Sequence, residues 1–262
     1  MRIPVVIRSN SQFRKERQAL KKGDVVACML NLKPFEEYVF TDLAHKGVTL
    51  VPSALAQLAS RSKCFQAYLM ADLMVPHTKI IRGKRDLVMA IEEYSRLGIG
   101  PVITKQDRSD CGLGINRWNS CEELFNQVVF SDSPPWPFVM QPFIPDSLDI
   151  RVVWIGNKHL EAYWRRNPFS FRNNLHFGGE TGRHELDDTE RQLCSRAMEQ
   201  GAFPYAHIDL LKESSGKVYL SEISLNGGTK GATIDSAKCA RLKRELEEEI
   251  VESLLTENKG GG

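Results

Sequence analysis

Hydrophobic positions along the chain fall into short runs with two different spacings. Residues 3–7 (IPVVI) and 25–30 (VVACML) are apolar and rich in β-branched residues, which predicts buried strands. Between them, 12–22 is polar and basic, the pattern of a solvated helix. Residues 35–45 have helical spacing and 48–51 reads as another strand. Strands alternating with helices in this way predict a small parallel sheet.

Pro52-Ser53 then opens a helical stretch that runs from Ala54 through Lys63 to Met74 and ends before Pro76. A strand at 78–81, a helix at 86–97 and a strand at 101–105 follow. Residues 107–114 read as a loop and 119–129 as a helix with Ser120 as its cap. The breaker cluster Ser133-Pro134-Pro135-Trp136-Pro137 separates this region from a run of strands at 138–143, 149–155 and 158–164. Gly156-Asn157 is a hairpin signal between the last two. Residues 165–185 are polar with little periodicity and read as one long loop. A helix at 187–201, strands at 206–211 and 217–223, a glycine-rich loop at 225–233 and an amphipathic helix at 235–255 complete the chain, with 259–262 as a flexible tail.

Composition narrows the class. The 262 residues carry 35 Lys+Arg against 33 Asp+Glu, a net charge of +2, and 42% are hydrophobic. That is an ordinary globular composition, and it excludes a chain whose main work is coating nucleic acid or an acidic membrane. No apolar run has the roughly 18 residues of a membrane span, and no leader-like apolar core precedes Arg8. The six cysteines are scattered without a CxxC pair, which reads as reduced thiols in a cytoplasmic protein.

Three features carry candidate chemistry. Lys105 ends a strand and is followed by Gly112-Leu113-Gly114, a pairing of charge and open backbone that suits phosphate but also suits an ordinary strand-to-helix turn. Arg165-Arg166 and Arg172-Asn173-Asn174 form a guanidinium- and amide-rich segment suited to a polyphosphate or an oxyanion, or else to a solvated loop. Asp209 and Glu222 lie in neighbouring strands among Ile208, Leu210, Leu220 and Ile223, where buried carboxylates need partners such as Mg2+, unless one lies on an exposed edge.

Taken in order, these segments resemble the ATP-grasp ligases, and within them the RimK-like branch of amino-acid ligases. Val51-Pro52-Ser53 through Arg61-Ser62-Lys63 is similar to the segment bearing the first ATP lysine. Val102-Ile103-Thr104-Lys105 with Gly112-Leu113-Gly114-Ile115 resembles the second lysine and its phosphate-covering loop. Phe138 to Ile144 resembles the adenine hinge, Asp149-Ile150-Arg151-Val152 the ribose-facing strand, and Phe171-Arg172-Asn173-Asn174-Leu175-His176 the family's Phe-Arg-Ser-Asn-Leu-His loop.

The resemblance implies a fold of two α+β lobes holding ATP between them, within the α/β class. A short α/β lobe (1–52) would precede an ATP-grasp unit (53–258) whose first lobe is 53–135 and second 136–258. It implies an ATP-dependent ligase that makes an amide bond through an acyl phosphate. The nucleotide site would comprise Lys63, Lys105, Gly112, Gly114, Gln141, Pro142, Phe143, Ile144, Asp149, Arg172, Asn173 and Asn174. Arg166 and Arg172 would be catalytic, and Asp209, Glu222 and Ser224 would hold two Mg2+ ions, for which Mn2+ can substitute. Implied partners are amino acids or peptides, including a carrier-protein or peptide tail, and a second copy of the chain; nucleic acid and membrane are not among them. Two departures stand out: Ser224 replaces the family's Asn in Glu-x-Asn, and the leading lobe is short. Ser224 keeps open an ATP-binding regulatory or scaffold protein without ligase activity.

Overall fold

The computed structural model describes residues 2–109, 114–171 and 179–260. Its first unit is the expected alternation: β1 (Val6–Ile7), α1 (Asn10–Glu16), β2 (Val25–Ala27), α2 (Tyr38–His45) and β3 (Thr49–Val51). The strands pair in parallel in the order β1-β2-β3. Ile7, Phe13, Val26, Phe40 and Leu43 fill one face of this sheet. The other face packs on Val251 of the long helix α8 (Ser236–Gly260). That helix continues past residue 255 and through two residues of the expected tail.

The helical stretch expected over 54–74 is two helices, α3 (Ala54–Ala59) and α4 (Lys63–Leu69). The break has a local cause. Ser62 takes extended backbone and its Oγ accepts from Phe65 N, starting a new helix at Lys63. The same hydroxyl donates to Asp107 Oδ1 at 2.9 Å.

Next come β4 (Lys79–Ile81), α5 (Lys84–Arg96), β5 (Val102–Gln106), β6 (Ile115–Trp118), α6 (Cys121–Val129) and β7 (Phe138–Pro142). They form a four-stranded sheet, β4-β7-β5-β6, whose core holds Leu87, Tyr94, Leu124, Phe138 and Met140. Because β7 completes this sheet, it reaches past residue 135, where the first lobe was expected to end.

The remaining strands, β8 (Leu148–Ile155), β9 (His159–Arg166), β10 (Glu180–His184), β11 (Tyr205–Lys212) and β12 (Val218–Ser224), form an antiparallel sheet in the order β10-β9-β8-β11-β12. Helix α7 (Asp188–Gln200) opens with a capping box between Asp187 and Glu190. One face of the sheet buries Ile150, Val152, Ile208, Leu210, Leu220 and Ile223 against α4 and α7. The opposite face carries the polar residues described below.

Two strands escape the sequence reading. β6 falls between the expected loop at 107–114 and helix at 119–129, and β10 lies inside the expected 165–185 loop. Both are short edge strands whose pairing is supplied by a neighbour. Gly182 of β10 faces Trp164, and a Cβ there would come within 2.6 Å of the indole, so the close approach of the two strands depends on glycine.

Candidate active site

The two larger sheets and the N-terminal lobe line a cleft of about 930 Å³. Strand alternation builds its floor. On β8, Ile150 and Val152 face the core, so Asp149 and Arg151 face the cleft. On β11, Ile208 and Leu210 face the core, so His207, Asp209 and Leu211 face the cleft. One end is apolar, with Ile103, Ile115, Phe143 and Ile144 around the buried Gln141 amide. That lining suits a planar aromatic ring.

Two buried lysines enter from different elements. Lys105, near the end of β5, donates from Nζ to Ser221 O at 3.0 Å and to Ser221 Oγ at 3.1 Å. Lys63, the first residue of α4, donates to Ser109 O at 2.5 Å and stands 3.2 Å from Glu222 Oε1. Both targets on β12 are presented by a β-bulge. Asp209 pairs with Glu222 but Leu210 pairs with Leu220, so Ser221 is the extra residue. The bulge allows the consecutive residues Ser221 and Glu222 both to line the cleft. Burial pushes the Lys105 ammonium down to about 8, with the Lys63 charge adding to the shift and the acids opposing it.

Behind the lysines lies a closed ionic cluster. Arg151 grips Asp209 with both arms, at 2.5 and 2.7 Å. Arg165 bridges Asp149 at 2.6 Å and Asp209 at 3.1 Å. Burial is the largest influence on both acids and raises each. The two guanidiniums overcome it at Asp209, which is held well below the usual carboxylate range. At Asp149 burial prevails over Arg165, with the Asp209 charge adding to the rise, and the carboxyl stands above that range.

Asp209 and Glu222 stand directly opposite each other across β11 and β12. Among the described residues no group of three or more His, Cys, Asp or Glu is placed to hold a metal ion. Two carboxylates suit Mg2+ whose shell is completed by substrate phosphates and water, on condition that the ion replaces the Arg151 and Arg165 contacts that take both Asp209 oxygens. Ser224 lines the cleft as well, its hydroxyl donating to Asn226 O at 2.5 Å, which leaves the oxygen lone pairs unspent.

Other expected site residues fall as follows. Arg166 is exposed on β9, while its neighbour Arg165 is buried in the cleft. The strand period of two leaves only one of two adjacent arginines on the cleft face. Pro142 pairs with Val102 inside the sheet, and the Phe143 N–H is already donated to Pro101 O, so that hinge amide is spent. The Phe143 ring instead lies 4.3 Å below the Arg117 guanidinium. Gly114, at φ +74°, closes the hairpin between β5 and β6, and its carbonyl accepts from Gln106 N. Gly112, Arg172, Asn173 and Asn174 lie outside the described residues. Arg165 stands out in the sequence only as half of an arginine pair, and Arg151, Tyr163 and Ser221 carry no expected role there; the period of two along β8 and β9 from Asp149 points to Arg151, Tyr163 and Arg165.

Residues 59–252 match the RimK-like ATP-grasp domain family. The chain belongs to that family. It is 27% identical over 222 residues to a probable alpha-L-glutamate ligase of Mannheimia succiniciproducens, covering 79% of this chain and 72% of the relative. It is 29% identical over 166 residues to a probable alpha-L-glutamate ligase of Rhodopirellula baltica, covering 62% of this chain but 40% of the relative. The fold is similar to that of the Bacillus anthracis D-alanine–D-alanine ligase complexed with ATP, at TM-score 0.63 and 16% identity, covering 96% of this chain and 87% of that one. The RimK-like match begins at Ala59, at the end of α3, and so takes in Lys63, Lys105 and the whole ionic cluster. Among the described residues no helix is long and apolar enough to cross a membrane, and the described cysteines are free.

Proposed function

We propose that this RimK-like protein is an ATP-dependent carboxylate–amine ligase. ATP transfers its γ-phosphoryl group to a substrate carboxylate, an amine attacks the acyl phosphate, and an amide forms with release of ADP and phosphate. The observation that carries this reading is the convergence of Lys63 and Lys105 on Ser221 and Glu222 beside an acid-bearing strand pair.

The apolar end of the cleft takes the base, with Gln141, Phe143 and Ile144 around it and Pro142 held in the sheet behind them. Asp149, oriented by Arg165, accepts hydrogen bonds from sugar hydroxyls. Lys63 and Lys105 neutralise the phosphates; each preorganised charge of this kind is worth on the order of 10²–10³ in rate. Asp209, Glu222 and Ser224 would hold Mg2+, which supplies charge neutralisation on the β- and γ-phosphate oxygens. Arg165, and not the exposed Arg166, stabilises charge at the cleft floor. Roles for Gly112, Arg172, Asn173 and Asn174 rest on the resemblance alone. Substrates are amino acids or peptides, with a carrier-protein tail as one form of the latter.

The test mixes the protein with ATP, Mg2+ and pools of amino acids and follows ADP. Amino-acid-dependent ADP release that is lost in Lys105→Met and Glu222→Gln supports the ligase. AMP as product overturns the acyl-phosphate route. Ser224, which replaces the family's Asn, favours a second reading, a nucleotide-binding protein that no longer ligates. Saturable ATP binding without turnover across all pools would establish that one.

A further inference from the structure

Beyond Lys105, Arg151 and Arg165, two further guanidinium groups line the same cleft, on the side where residues 29–32 and Pro34 of the N-terminal lobe also line it. Arg61 lies on the link between α3 and α4, and Arg108 follows β5. The link is pinned on both sides to the acid-bearing end of β12. Ser60 Oγ accepts from Leu225 N at 2.9 Å, and Lys63 meets Glu222 at 3.2 Å. Arg61 therefore lies between two residues that are tied to the Glu222 end of β12.

Its charge is poorly met. Arg61 is half-buried, and burial followed by the neighbouring Arg108 charge lowers its pKa, with Glu37 opposing. The Glu37 carboxylate is already bonded to Arg108 at 2.5 Å. Arg61 itself lies over the Phe40 ring at 5.9 Å and has no carboxylate partner among the described residues. A half-buried guanidinium without a carboxylate of its own is a costly arrangement that an anionic ligand relieves. The planar fork of arginine matches the two oxygens of a carboxylate.

We propose that Arg61, with Arg108 beside it, binds the α-carboxylate of the amine-bearing substrate, making the acceptor an amino acid and not a bare amine. This rests on the ligase reading above and names a specificity residue for it. Holding that carboxylate on the N-terminal-lobe side leaves the adjacent amine near Lys63 and Glu222, where the acyl phosphate forms.

The experiment compares wild type with Arg61→Ala and Arg61→Lys. ADP release is measured with N-acetyl amino acids as the carboxylate donors and either the twenty L-amino acids or their α-carboxamides as the amines. The apparent KM for the free amino acids is expected to rise about 10–100-fold in Arg61→Ala, the worth of a hydrogen bond to a charged group. The kcat and the ATP Kd stay within twofold, Arg61→Lys recovers part of the loss, and the carboxamides are poor substrates of wild type. Equal loss of ATP and amino-acid affinity in Arg61→Ala would assign Arg61 to the triphosphate and overturn the proposal. So would wild-type turnover of carboxamides at the rate of the free amino acids. If no pool supports ADP release, the ligase reading fails on its own. The anchor is then read from the Tm shift that the amino-acid mixture produces on protein saturated with a non-hydrolysable ATP analogue. A shift present in wild type and lost in Arg61→Ala supports it; no shift, or one unchanged in the variant, overturns it.

Discussion

Lys63 Nζ and Glu222 Oε1 stand 3.2 Å apart, joining the first residue of a helix to the bulged strand of the five-stranded sheet. The pair is held by backbone on both sides. Gln66, one turn along α4, donates to Ala59 O and Ile223 O and accepts from Ile223 N, with distances of 2.7, 2.9 and 3.1 Å. A single buried amide therefore locks the helix start to the residue after Glu222.

Gln66→Leu removes that lock and leaves the Ile223 and Ala59 groups unpaired in the core. Each such group costs about 1–3 kcal/mol. Urea unfolding should show a loss in that range or above it, and ADP release should fall with it because Glu222 no longer holds its place against Lys63.

Ser224→Asn restores a carboxamide oxygen, a better hard ligand than a hydroxyl. The Mg2+ concentration giving half-maximal ADP release should fall. An unchanged Mg2+ requirement would count against Ser224 as a ligand.

Arg165 and Arg166 separate a cleft residue from an exposed one. Arg165→Met leaves Asp149 and Asp209 facing each other with half their positive charge gone. Removing one member of a buried ionic cluster costs about 3–5 kcal/mol. Arg166→Met should change stability by no more than about 0.5 kcal/mol. Chemical denaturation of the two variants side by side checks this contrast.

Asp24 ties the N-terminal lobe together. Its carboxylate accepts from Val5 N and Lys21 N and pairs with Arg2. Burial alone would raise its pKa, but those donors outweigh it and the pKa lies below the ordinary 3.8. A carboxyl depressed on folding contributes stability above its unfolded pKa, and that contribution is lost as pH falls through the folded value. Asp24→Asn should therefore cost about 1–3 kcal/mol at neutral pH. The gap to wild type should close as pH drops below 3.8, measured by denaturant unfolding across pH.

Much of the site was legible because its residue types are expensive to bury. Lys105 at a strand end and Asp209 and Glu222 among aliphatic neighbours already signal chemistry, and the structure brings all three into one cleft. The partners of these groups were less legible. Arg151 lies two residues beyond Asp149 on the same face of β8, a period-two signal present in the chain. Arg61 and Arg108 belong to a link and a loop, where no periodicity says which way a side chain turns. The edge strands β6 and β10 were missed for a related reason: their polar residues carry little strand preference, and their backbones are ordered by β5 and β9.

By itself the sequence determined the order of the elements, the parallel N-terminal lobe, and the short roll of charged residues available for phosphate chemistry. These follow from local spacing and from the cost of burying charge, and both are properties of neighbours along the chain. Only the tertiary structure decided that Arg165 and not Arg166 enters the cleft, that Ser221 is bulged so that Glu222 can meet Lys63, and that Arg61 lines the same cleft. The physical reason is that strand side chains alternate with a period of two, so a one-residue difference in register sends a side chain to the opposite face. Register is set by pairing between distant segments, Asp209 with Glu222 and Asp149 with Arg165.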